Sequence, residues 1–99
     1  MKLPVFSSRD AQRMLRKLGI EPVQTKEVHG EFYYGGQHIT TFTFPPVHGR
    51  RRDLSLGERK SIENASMLSR QEFTDLIRCP MSLEGYVAAL REIGAIPPD

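Results

Sequence analysis

The feature that most constrains this chain is the Gly35-Gly36 pair, set between two runs rich in β-branched and aromatic residues. Val28–Tyr34 and Gln37–Phe44 each read as a strand, and adjacent glycines supply the positive φ that a tight hairpin needs. The two runs therefore fold back antiparallel. Register decides what each face carries. A strict two-residue turn sets Phe32 opposite in face to Phe42 and Phe44. A three-residue loop ending in a bulge aligns Phe32, Tyr34, Phe42 and Phe44. Alternation is costly to violate when one face is buried, so the bulged form is expected. It places His29, Glu31 and Tyr33 on the other, wet face beside Thr41 and Thr43, and Pro45-Pro46 stops the strand.

What flanks the hairpin fixes the class. Ser7-Ser8-Arg9-Asp10 is a helix start, a serine cap with an acid three residues on. Ala11, Met14, Leu15 and Leu18 then form one apolar stripe, and Gly19 ends the helix. Arg9, Arg13, Arg16 and Lys17 lie off that stripe. Pro22–Lys26 reads as a further strand. Ser55-Leu56-Gly57-Glu58 and Ser69-Arg70-Gln71-Glu72 repeat the capping pattern, with Ile62 and Leu68, then Phe73, Leu76 and Ile77, facing inward. Cys79-Pro80 closes the second of these helices. A last helix, 83–93, carries Leu83, Tyr86, Val87, Leu90 and Ile93 on one face and stops at Gly94. The order predicts an α+β domain over 1–99: a helix, a three-stranded antiparallel sheet, then C-terminal helices packed on one face.

Ninety-nine residues suffice for one modest core. No apolar run reaches membrane-spanning length and no leader pattern opens the chain, so a cytoplasmic protein without membrane partners is expected. A single cysteine, Cys79, excludes an internal disulfide and a thiolate zinc site, and it reads as a small apolar residue. The net charge of +2 is unevenly spread: residues 1–26 hold six Lys/Arg against two acids, and residues 50–72 hold six against four. The two other segments are net negative. A basic first helix and the basic loop Arg50-Arg51-Arg52 thus frame the histidine-bearing strands, which suits a phosphate-facing surface. The same charges also suit a solvated helix face.

His29 opens one strand, and Pro46-Val47-His48-Gly49 puts a second imidazole just beyond the other; the hairpin brings both to one end of the sheet. Histidine both gives and takes a proton near neutral pH. Cleaving RNA without a metal needs a base for the 2′-hydroxyl, an acid for the 5′-oxygen and cations for the charge on phosphorus. His29 and His48 are the candidate acid–base pair. Lys26, Arg50, Arg51, Arg52, Arg13 and Lys17 are candidate phosphate contacts, and Tyr33 can stack on an unpaired base. Neither a metal nor a cofactor is expected. His38, beside the turn, is expected only to be solvated.

The order of these motifs resembles that of the HicA toxins, small ribonucleases of toxin–antitoxin pairs. The shared pattern is a helix ending in Arg-Lys-Leu-Gly (16–19), a Lys-x-x-His-x-x-Phe segment (Lys26, His29, Phe32), a hairpin, and Pro46-Val47-His48. It covers roughly residues 8–49. The resemblance implies a double-stranded-RNA-binding-like fold, cleavage of mRNA centred on His29, a supporting His48, and a HicB-type antitoxin as partner. This chain departs from the family in carrying Glu27-Val28 where Gly-Ser precedes the histidine, and in its longer C-terminal half. Glu27, two residues before His29, is expected on the same strand face. The rival readings are a non-catalytic RNA-binding module, a protein-interaction domain built on the extra helices, and DNA binding by the last two helices. The third is weakest, since the final helix offers only Arg91 against Glu84 and Glu92.

Overall fold

The computed structural model describes residues 1–47, 53–78 and 80–98. Three serines start three helices, as the sequence predicts. Ser7, Ser55 and Ser69 each accept from the backbone N–H three residues on, and Asp10, Glu58 and Glu72 reach back in reciprocal capping boxes. These open α1 (Ser8–Lys17), α2 (Leu56–Ser66) and α3 (Arg70–Ile77); Ser82 caps α4 (Leu83–Glu92) without the reciprocal acid. At the far end of α1, Gly19 takes a φ of +76°. There the Ile20 N–H donates to the Leu15 carbonyl and the Gly19 N–H to that of Arg16, the paired closure of a Schellman motif. Gly94 closes α4 in the same way.

Between α1 and α2 lies a three-stranded antiparallel sheet in the order β1-β2-β3, with β1 at Val23–Gln24, β2 at Val28–Tyr34 and β3 at Gln37–Phe44. β1 is shorter than the Pro22–Lys26 expected. The chain already reverses at 25–27, where the Thr25 N–H bonds the Glu27 carbonyl, leaving only the pairs Val23↔His29 and Gln24↔Val28. The hairpin also solves its register differently from expectation. Gly35 and Gly36, at φ +59° and +79°, form a two-residue turn of the kind that needs both φ positive. The bulge sits further along, where Phe32 pairs with Thr40 but Tyr33 pairs with His38, leaving Ile39 extra. Of the predicted alignment, Phe32, Phe42 and Phe44 are buried, whereas Tyr34, expected with them, is exposed.

The helices cover one face of this sheet. Leu15 of α1 and Ile20 press on β2 at Gly30, where a Cβ would stand 2.7 Å from a Leu15 methyl. Tyr86 of α4 stands edge-on to Phe32 at 5.2 Å and donates from its hydroxyl to the Ser66 carbonyl, and burial pushes its phenol well above the usual range. Thr40 bonds the Ala65 carbonyl of α2. Arg59 ties the N-terminal segment down, donating to the carbonyls of Leu3, Pro4 and Leu54, and Arg70 forms a two-pronged pair with the buried Glu63. The inward face predicted for α4 is narrower than expected. Tyr86 and Leu90 are buried and Val87 is partly so, but the two end positions, Leu83 at the first residue of α4 and Ile93 at its C-cap, are exposed. Cys79 lies outside the described residues.

Candidate functional site

Alternation along β2 divides its side chains. Val28, Gly30 and Phe32 turn to the helices; His29, Glu31 and Tyr33 turn to the face that no helix among the described residues covers, as the sequence predicts. Across β3 the same face shows Thr43 and Thr41, and the bulge at Ile39 adds His38. Three cross-strand ranks result: His29 with Thr43, Glu31 with Thr41, and Tyr33 with His38.

His29 sits on the central strand, half-buried between Val23 and Thr43, its Nδ1 3.4 Å from the Thr43 hydroxyl. Glu27 falls in the turn before β2 rather than on the strand, and among the described residues no ion pair joins it to His29. Lys26 is exposed in that same turn, at the His29 end of the sheet. Phe44, the last residue of β3, pairs with Val28, so the chain leaves the sheet at that end too. Beyond it, His48, Arg50, Arg51 and Arg52 lie outside the described residues.

The second and third ranks are more tightly joined than the first. His38 Nε2 lies 2.8 Å from the Thr41 hydroxyl and 3.7 Å from a Glu31 carboxylate oxygen. Its ring meets that of Tyr33 edge-on, centroids 5.3 Å apart. Tyr33 is 55% exposed. His38, expected only to be solvated, thus belongs to the face. A three-residue loop would have set it opposite Tyr34, on the covered side. The signal that finds it is the Gly-Gly pair itself, which favours the two-residue turn and forces the parity change into β3.

The basic helix contributes differently. Lys17 donates to the Leu76 carbonyl at the end of α3, and Arg13 pairs with Asp10 at 2.8 Å. Both belong to the helical layer, away from His29. Arg91 of α4 likewise turns back on the protein, donating to the Tyr34 hydroxyl and the Pro97 carbonyl. Among the described residues no group of three or more His, Cys, Asp or Glu side chains is placed to hold a metal ion, and no helix is long and apolar enough to cross a membrane. Comparison with family models, with curated proteins and with solved structures gives no match.

Proposed function

We propose that this chain is a HicA-like toxin: a cytoplasmic ribonuclease that cleaves mRNA on a double-stranded-RNA-binding-like fold and is neutralised by a HicB-type antitoxin. The observation that carries this reading is the position of His29. It occupies the central strand on the uncovered face, at the end where β3 stops and the chain runs on into Pro46-Val47-His48-Gly49 and three arginines. A half-buried imidazole open to one side suits proton transfer to a bound phosphodiester.

In the proposed reaction one histidine takes the proton of a 2′-hydroxyl, whose oxygen attacks the neighbouring phosphorus. The bond from phosphorus to the 5′-oxygen breaks, and the other histidine gives that oxygen its proton. A cyclic phosphate and a free 5′-hydroxyl result. Lys26 and the arginines of residues 50–52 would offset the charge that builds on phosphorus. The test is induced expression of wild type and His29→Ala, with growth and total RNA followed together. Growth arrest with RNA decay in the wild type, absent from a folded mutant, is the expected result. Equal toxicity of the two would sink the role of His29.

A second reading, a non-catalytic RNA-binding or protein-interaction module, is favoured by one observation. The Thr43 hydroxyl beside His29 makes an ordinary cross-strand pair that needs no catalytic purpose. A harmless wild type would select it.

A further inference from the structure

We infer that Tyr33, Glu31 and His38 form a base-reading site on the open sheet face, specific for an unpaired guanine of single-stranded RNA. The inference rests on the reading of this chain as an RNA-binding protein and names which RNA it prefers. Tyr33 is a stacking platform fixed in advance. More than half of its surface is free, while His38 braces the ring edge-on and Thr41 holds His38 through Nε2. A ring already ordered loses less freedom when a base lands on it.

Glu31 supplies the selectivity. It stands two residues before Tyr33 on the same strand and face, about 7 Å along the chain. Its carboxylate makes no hydrogen bond among the described residues, and His38 Nε2, at 3.7 Å, is already engaged by Thr41. An ionised carboxylate only accepts, so it matches a base edge presenting adjacent donors. Guanine offers N1–H and the 2-amino group side by side. Uracil offers one N–H between two carbonyl oxygens, which a carboxylate repels. Duplex RNA is excluded, because its Watson–Crick edges are already paired and its bases already stacked.

Lys26 lies exposed at the His29 end of the sheet, beside Glu27 in the same turn, and can contact a phosphate. The carboxylate lies further along β2, where a base edge rather than a phosphate would come.

Fluorescence anisotropy with labelled, non-cleavable 2′-fluoro octanucleotides tests this. The wild type should bind an oligouridylate carrying one central guanine about tenfold more tightly than oligouridylate alone. Glu31→Gln should erase that preference. Tyr33→Ala should weaken both at least tenfold with an unchanged melting temperature, while Tyr33→Phe retains binding. Equal affinity for both wild-type complexes, tighter binding of a duplex, or indifference to Tyr33→Ala would overturn the base site and leave the RNA reading standing. Binding to none of these RNAs would overturn both, and would leave the face to a protein partner.

Discussion

The two faces of β2 carry alternate residues of one seven-residue strand, yet they answer to different forces. Val28, Gly30 and Phe32 are sealed beneath Leu15, Ile20 and Tyr86, where an ångström of extra volume meets another side chain. His29 and Tyr33 are held by single polar or edge-on contacts to Thr43 and His38, and Glu31 lies 3.7 Å from His38 Nε2. Substitutions on the covered face should therefore be read in stability. Those on the open face should be read in binding and chemistry.

The largest expected effect attacks the covered side. Phe42 is fully buried opposite Gly30, so Phe42→Ala removes a ring that nothing nearby can replace. It should cost about 3–5 kcal/mol, enough to unfold much of a marginal domain. Thr41→Ala, one residue away on the open face, should change stability by less than about 0.5 kcal/mol. Urea titration of the two variants measures the difference. Similar midpoints would mean that the faces are not distinct.

How much of this was legible in the sequence follows from the range of the forces involved. Serine caps, terminal glycines and the apolar stripe of α1 act within a few residues, so helix starts and the inward face could be read directly. The faces of His29 and Tyr33 followed from strand alternation. The position of the bulge did not, because a bulge in the loop and a bulge at Ile39 satisfy the same aromatic alignment; only the turn's own preference separates them. That choice moved His38 across the sheet. The partner of Lys17 was beyond reading altogether, since the Leu76 carbonyl is brought to it only by packing α3 against α1.

Glycine sharpens the contrast further. At Gly30 an added methyl would stand 2.7 Å from Leu15 Cδ1 and 2.9 Å from Ile20 Cγ2, both on buried side chains. Overpacking costs about 1–3 kcal/mol and outweighs the modest gain from replacing a strand glycine. Gly30→Ala should thus destabilise by about 1 kcal/mol. Gly57, in α2, has nothing within 4 Å of its would-be Cβ, so Gly57→Ala should stabilise by up to about 1 kcal/mol. Opposite shifts in melting temperature are expected; shifts of the same sign would show that α1 does not press on β2 as described.

A small effect is the most useful one. His29→Ala removes a half-buried ring whose polar contact, to Thr43 at 3.4 Å, lies at the long end of hydrogen-bond distances. Such a contact is worth at most about 1 kcal/mol, and water reaches the Thr43 hydroxyl when the ring is gone. The variant should therefore melt close to the wild type, with a stability loss under about 1 kcal/mol. Thr43→Val keeps the strand-favouring branch, removes the hydroxyl, and should cost no more. If His29→Ala instead loses several kcal/mol, the imidazole is part of the scaffold, and its loss of toxicity could not be credited to chemistry. If both variants stay folded and only His29→Ala is harmless in cells, the division between the two faces of β2 becomes a division between folding and function.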